Sequence, residues 1–247
     1  MLKNYSIISL IMPCKNEATA LKTVLEKLPR EIDEVIVVDN NSSDKTKRVA
    51  RRFGARIFSE PRTDKNSIGY GFAIQKGIKE AKGNIIVCMD GDGSYPVREI
   101  AKIVNCLLKK DLDFISCNRL PFKKPKKMSF IRASGVKILN IFTLFLYGHR
   151  IKDSLSGMWV FRRYALDNLI LTEGGWNLSL EIKLKVILQS KLKFAERQIS
   201  YHDRIFDISK QNLFRTGIEH VLYLIRFRLS IAWGKIFAQR ITYNVDK

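Results

Sequence analysis

Two carboxylates, Asp90 and Asp92, follow the apolar run Ile85-Ile86-Val87-Cys88-Met89 and are separated by a single glycine. Alternate residues of an extended segment can turn toward one point, so the pair can converge on one oxygen-loving divalent ion that a strongly phosphorylated ligand would also coordinate. The same pattern, Asp-Gly-Asp-Gly, also suits a plain polar turn, since acidic residues and glycine dominate turns. The carrier element bears on this choice. The run is short and rich in β-branched residues, as in a strand buried on both faces of a parallel sheet, and Gly91, Gly93 and Pro96 supply a sharp turn at its carboxyl end. Ligands of open α/β sheets bind at that edge.

The rest of the chain alternates strands with helices around this one. Ile7–Met12, Glu34–Val38, Ala55–Ser59 and Asp113–Cys117 read as further strands. Apolar residues at helical spacing mark Glu17–Leu28, a helix through Val49–Phe53, Tyr70–Ala81 and Val97–Leu108. The polar run Asp39–Asp44 is suited to capping the helix that follows it. This rhythm, with short connections, predicts an α/β fold with a mostly parallel, right-handed, doubly wound sheet covered by helices on both faces. After Asn118 the rhythm changes. A basic loop, 119–127, precedes a helix over Ser129–Tyr147 that is apolar on most of its circumference. That helix is expected to be too short and too polar at its start to span a bilayer. It suits either a core helix or an interfacial one, the cationic loop beside it favouring anionic lipid. A strand near 156–163, an amphipathic helix over Trp176–Leu188, a strand over Lys193–Tyr201 and a long helix over about Gln211–Phe237 complete the chain. Arg226, Arg228 and Lys235 argue against that last helix being a simple span.

Lys and Arg total 44 against 24 Asp and Glu, a formal charge of +20, so the partner is expected to be anionic. The basic residues are spread out and interleave with no aromatic recognition motif, so nucleic acid is not expected. Cys14, Cys88, Cys106 and Cys117 form no Cys-x-x-Cys pair and read as reduced thiols of a cytosolic protein. No signal peptide is read ahead of the first strand. His149, His202 and His220 have no metal-ligand spacing.

An ordered set of short motifs resembles the family-two inverting glycosyltransferases of GT-A fold: Pro13-Cys-Lys-Asn16-Glu17, Val38-Asp39-Asn-Asn-Ser42, Gly69-Tyr-Gly71, and Asp90-Gly-Asp92 with Pro96. Arg119, Ser134-Gly135, Asp153-Ser-Leu-Ser156-Gly157-Met158 and Tyr201-His-Asp-Arg204 with Ser209-Lys210 are similar to the dolichyl-phosphate mannose synthase and polyprenyl-phosphate glycosyltransferase branch. The resemblance covers about residues 6–215. It implies a glycosyltransferase domain over 1–215 and a basic amphipathic helix and tail over 216–247.

The resemblance implies that Pro13, Asn16, Glu17, Asp39, Gly69 and Gly71 serve the nucleotide of the donor, with Glu17 and Asp39 at ribose and base. Asp90 and Asp92 would bind Mg²⁺ or Mn²⁺ bridging the donor diphosphate. Arg204, Ser209 and Lys210 match a loop that closes over the donor phosphates. Arg119, Arg132 and Ser134 lie where the branch gathers the lipid phosphate. Ser94 stands where the branch often has Gln, and Asp39-Asn-Asn stands where the family commonly has Asp-Asp-Gly. A phosphate acceptor is mostly dianionic at neutral pH and needs no general base. Asp153 is expected either to cap its turn, to contact the sugar, or to act as a base toward a hydroxyl acceptor.

The expected activity is hexose transfer from a nucleotide-diphosphate sugar to polyprenyl phosphate at the cytosolic membrane face. Mannose from GDP-mannose comes first, and a UDP-sugar donor is the alternative. The rivals are transfer to a saccharide hydroxyl and a non-enzymatic basic membrane binder. Attachment is expected to be peripheral, or through a partner that supplies an anchor.

Overall fold

A computed structural model describes residues 6–121, 127–202 and 213–245, with side chains described outside 127–129 and 233–245. Seven strands form one sheet: β1 (Ile8–Cys14), β2 (Glu34–Asp39), β3 (Arg56–Ser59), β4 (Ile85–Cys88), β5 (Phe114–Asn118), β6 (Trp159–Arg162) and β7 (Phe194–Gln198), in the order β3-β2-β1-β4-β6-β5-β7. All pairings are parallel except those of β6, which runs antiparallel to both β4 and β5. The sheet is therefore mostly parallel, as the rhythm predicts. The reversal of β6 is a feature that strand patterning cannot register, because an apolar run reads the same in both directions.

Alternation along the strands builds two cores. Leu10, Met12, Val37, Val87, Ile115 and Val160 face one side, where α1 (Ala18–Leu25), α2 (Thr46–Arg52) and α4 (Ile100–Lys109) cover them. Ile11, Ile36, Val38, Ile86, Phe114 and Trp159 face the other, under α3 (Tyr70–Glu80) and α6 (Leu178–Ile187). Helices thus cover both faces, and every strand can be apolar on both sides without cost.

A third, smaller core lies beyond the sheet, where Leu139 of α5 (Lys127–Tyr147), Leu180 and Leu184 of α6, and Tyr223 and Leu224 of α7 (Leu213–Val245) meet. The boundary expected at residue 215 falls within the first turn of α7. By length and composition Phe130–Tyr147 qualifies as a membrane-crossing helix, and only 17% of it is buried. At 21 residues α5 spans roughly 31 Å, so the expectation that it is too short is not upheld.

The antiparallel course of β6 decides what meets at the site edge. Cys88, the last residue of β4, pairs with Trp159, the first of β6. The segment entering β6 therefore lies beside the turn leaving β4. Asn118 pairs with Gln198, so the segment after β7 arrives at the same edge.

Candidate active site

At the carboxyl edge Asp39 is aligned with Cys14 across β1 and β2. The Asp39 side chain is 1% exposed; its Oδ2 accepts from Ser42 N at 3.2 Å and lies 3.5 Å from Lys47 Nζ, while its buried Oδ1 meets no donor among the described residues. Burial, then the carboxylates of Glu17, Asp39 and Asp90, push the Cys14 thiol well above its ordinary pKa. That shift locates three carboxylates around one buried sulfur, which remains a neutral thiol. Gly91 crosses directly over it: a Cβ there would come closer than 3.0 Å to Cys14 Sγ and within 3.2 Å of Glu17 Oε2.

Asp92 is 3% exposed, and its Oδ1 accepts from Ser94 N at 3.0 Å and Ser94 Oγ at 2.5 Å. Ser94 thus fixes the second carboxylate of the pair. Asp90 is half-buried and lines a cavity of about 800 Å³. Its Oδ1 lies 3.3 Å from where a Cβ on Gly157 would be, so the Asp153–Gly157 segment closes down on the carboxylate turn. Among the described residues no group of three or more His, Cys, Asp and Glu converges on a metal position. Asp90 is a hard oxygen donor on the cavity wall, and Asp92, two residues on, is held by Ser94 behind it. Mg²⁺ or Mn²⁺ commonly takes one or two carboxylates and completes its shell with substrate phosphates and water, so Asp90 suits a metal that binds together with a diphosphate.

Other sequence-predicted donor residues serve the loops. Asn16, exposed and at φ 56°, accepts from Ser43 N at 2.7 Å and donates its own N–H to Ser42 Oγ at 3.0 Å, tying the β1 loop to the β2 loop. Glu17 N donates to Thr46 Oγ1 at 2.9 Å, and Pro13 is buried opposite Val38. At Gly69 a Cβ would come closer than 3.0 Å to Asn40 Nδ2 and the Arg62 carbonyl; at Gly71 it would come as close to the Glu173 carbonyl. The lack of a side chain at both glycines has a packing cause within the protein itself.

Asp153 and Arg119 are brought together. Asp153 is fully buried and accepts from Arg119 Nε at 2.8 Å, Nη2 at 2.9 Å and backbone N at 3.0 Å. Burial alone would raise the Asp153 carboxyl, but the charge and hydrogen bonds of Arg119 outweigh it and hold the carboxyl below its usual range. Burial likewise opposes the Arg119 charge, and Asp153 more than offsets it, keeping the guanidinium protonated. Of the three expectations, the base does not fit: both oxygens of Asp153 are engaged by a cation, and the carboxylate is a weak proton acceptor. A guanidinium has five N–H donors, and two of them go to Asp153. Arg119 also lines the cavity, with its guanidinium 5.4 Å from the Tyr201 ring centroid.

Arg132 and Ser134, on α5, line the same cavity, and Arg132 Nε is buried with no acceptor among the described residues. The expected residues Arg204, Ser209 and Lys210 lie outside the described residues.

Several cavity residues have no role assigned from the sequence. Tyr95 accepts from Gly157 N at 2.7 Å and packs edge-on against Tyr201; Tyr70 packs against Trp176 with centroids 4.8 Å apart. Tyr70 and Tyr201 lie within the quoted motifs, and Tyr95 and Trp176 are signalled only by their aromatic character beside Gly-Ser and Gly-Gly. His220 is 2% exposed on the cavity wall, its Nδ1 2.7 Å from Asn177 Oδ1, and burial lowers its pKa to about 4. Much of the cavity wall is apolar, with Ile131, Ile138 and Leu139 of α5 and Ile218, Val221 and Leu222 of α7 lining it. Beyond the cavity the stripes continue outward, with Ile141 66%, Phe145 87%, Ile225 40% and Leu229 53% exposed.

Residues 9–170 match the family model described as glycosyl transferase family 2. Among characterised proteins, the chain is 29% identical over 201 residues to a dolichyl-phosphate hexose transferase of Haloferax volcanii, covering 80% of this chain and 83% of that protein. It is 27% identical over 241 residues to the low-salt glycan biosynthesis hexosyltransferase Agl6 of the same organism, covering 94% of this chain but only 55% of Agl6. Among solved structures, glucosyl-3-phosphoglycerate synthase from Mycobacterium tuberculosis, in complex with Mn²⁺, UDP and phosphoglyceric acid, superposes with a TM-score of 0.73 at 18% identity. That match covers 90% of this chain and 78% of that one.

Proposed function

Because the chain belongs to glycosyl transferase family 2, we propose that it transfers a hexose from a nucleotide-diphosphate sugar to a polyprenyl phosphate, working peripherally at the cytosolic face of a membrane. Its sheet is the GT-A fold, and the chain is a glycosyltransferase. The observation that carries the finer reading is the mixed lining of the cavity. Its lining combines the charged Asp90, Arg119 and Arg132 with apolar side chains of α5 and α7, and exposed apolar residues continue along both helices. An acceptor with an anionic head and a long hydrocarbon tail matches that lining. The hexose relative named for dolichyl phosphate supports the same class.

In this reading the carboxylates divide the work. Glu17 and the buried Asp39 hold ribose and base, and Asp90 and Asp92 hold Mg²⁺ or Mn²⁺ against the donor diphosphate. When bound, the ion supplies charge stabilisation to the departing nucleoside diphosphate. Arg119, with Arg132 and Ser134, orients the acceptor phosphate so that one oxygen faces the anomeric carbon. That oxygen attacks as the nucleoside diphosphate leaves on the opposite side, inverting the centre. A dianionic phosphate has no proton to lose, which agrees with the engagement of Asp153 by Arg119. Catalysis then consists of holding two anions in line between fixed cations. Mannose from GDP-mannose is the first donor in this reading, with UDP-glucose or UDP-N-acetylglucosamine the alternative.

Calorimetric titration with each of the three donors, with Mn²⁺ and again with EDTA, tests the donor side. Metal-dependent binding of one donor, followed by transfer of its labelled sugar to polyprenyl phosphate, is the expected result. Transfer to a saccharide hydroxyl in preference to the lipid would overturn the acceptor assignment.

A further inference from the structure

Lys183 sits on α6 with 0% exposure, among the largest fully buried side chains of the protein. Its Nζ donates to the carbonyls of Asp153, Ser154 and Ser156, each at 2.9 Å. When protonated, its three N–H groups meet three acceptors drawn from a single turn; burial lowers its pKa to about 7. A buried ammonium is costly unless fully paired, and here the pairing is spent on one short segment.

That segment is gripped from every other side as well. Glu196 of β7 accepts from Lys152 N at 2.7 Å and Asp153 N at 3.1 Å; Asn140 of α5 accepts from Ser154 N at 3.1 Å; and Tyr95 accepts from Gly157 N. Lys183 takes three of the carbonyls, Asn140 Nδ2 donates to that of Lys152 at 2.7 Å, and Trp159 Nε1 shares that of Ser156 at 2.9 Å. From Lys183 a continuous chain of contacts, none longer than 3.0 Å, runs through the Asp153 backbone and carboxylate to the Arg119 guanidinium. The neighbours of Lys183 on α6, Leu180, Ile182 and Leu184, are each fully buried in their own cores and anchor the helix without it.

We infer that Lys183 is a positioning residue for the acceptor site: it locks the 153–156 turn so that Asp153 aims Arg119, with its remaining N–H donors, at the acceptor anion. The inference rests on the assignment of Arg119 to the acceptor phosphate. A lysine serving only the core would support donor and acceptor binding alike, whereas a positioning lysine acts on the acceptor side.

The test uses the full chain with Lys183→Met, which keeps the length of the side chain and removes its donors, and Lys183→Arg, which keeps charge and donors. Three readouts are compared with wild type: amide hydrogen exchange, acceptor KM and kcat with polyprenyl phosphate, and nucleotide-sugar affinity with Mn²⁺. In Lys183→Met, exchange over 152–158 and around Arg119 is expected to rise at least tenfold, while Tyr70–Glu80 stays unchanged. Acceptor KM is expected to rise at least tenfold, with kcat within threefold and donor affinity within twofold; Lys183→Arg recovers most of the KM. Unchanged exchange over 152–158, equal losses on donor and acceptor sides, or no recovery by Arg would overturn the inference. Should Lys183→Met fail to fold, Lys183→Arg and Lys183→Gln carry the same comparison. If wild type itself transfers nothing to polyprenyl phosphate, the acceptor reading fails. Exchange then decides the inference alone, supported by a tenfold rise at both segments and overturned by no rise at either.

Discussion

Asp153→Asn separates a positioning carboxylate from a catalytic base. In the wild type the two Asp153 oxygens accept three N–H groups of Arg119 at 2.8–3.0 Å inside a fully buried site. An asparagine placed there has one oxygen. If that oxygen keeps Arg119 N and Nε, its NH₂ confronts Nη2, donor against donor. One charge-assisted bond is lost, the Nε bond becomes charge–neutral and the backbone N–H bond becomes neutral–neutral. Breaking a buried pair of this kind costs on the order of 3–5 kcal/mol; the two surviving bonds put the expectation near the lower end, about 3 kcal/mol. A domain of ordinary stability survives that loss. Urea unfolding followed by tryptophan fluorescence reads it directly, and the loss should be accompanied by an acceptor KM raised about tenfold or more at a kcat reduced by less than tenfold. The pH dependence supplies a second reading. The folded carboxyl lies below its ordinary value of 3.8, so its contribution is present above that pH and disappears as pH falls through the folded pKa. Asp153→Asn should remove that acid-side loss. A variant as stable as wild type within 1 kcal/mol, with kcat down more than about 100-fold at unchanged KM, would refute the positioning role and restore the base.

Two further outcomes follow from burial and packing. Gly71→Ala forces a Cβ against the Glu173 carbonyl, so a loss of about 1–3 kcal/mol is expected in urea unfolding. Its folded fraction should bind nucleotide sugar within about twofold of wild type, and a selective loss of donor affinity would instead make Gly71 a nucleotide contact. His220 has a folded pKa of about 4 against an ordinary 6.5, so the unfolded chain binds the extra proton between those values and stability falls as pH drops from 6.5 to 4. The shift is worth about 3 kcal/mol. Unfolding at pH 7 and pH 4.5 should show His220→Gln losing less stability on acidification than wild type.

Local patterning made much of the fold legible. The β-branched runs and helical spacings marked every strand and helix of the GT-A sheet, because each element buries enough apolar surface to print its period on the sequence. That Asp90 and Asp92 fall at the carboxyl edge was readable for a similar reason, since the apolar run before them is a strand, while Asp-Gly-Asp-Gly by itself also suits a polar turn. The course of β6 was not readable, because strand direction is set by long-range pairing with β4 and β5. Nor was Lys183: in Leu-Glu-Ile-Lys-Leu-Lys-Val it looks like the polar stripe of an amphipathic helix, yet its carbonyl partners lie 27–30 residues away in the chain. The role of Asp153 stayed open for the same reason, as only the fold brings both of its oxygens onto Arg119.

The placement of β6 also orders the assembly of the protein in time. β3, β2, β1 and β4 form a contiguous parallel half-sheet whose last strand ends at Cys88. β5 cannot dock onto that half, because β6 must come between them and begins only at Trp159. During synthesis the β4 edge therefore stays open while residues 89–158 emerge, a row of unpaired backbone groups on a fully apolar strand. Such an edge is a template for pairing with another chain. A nascent chain stopped between residues 120 and 158 should be the most aggregation-prone length, and one extended past β7 the first to close its sheet.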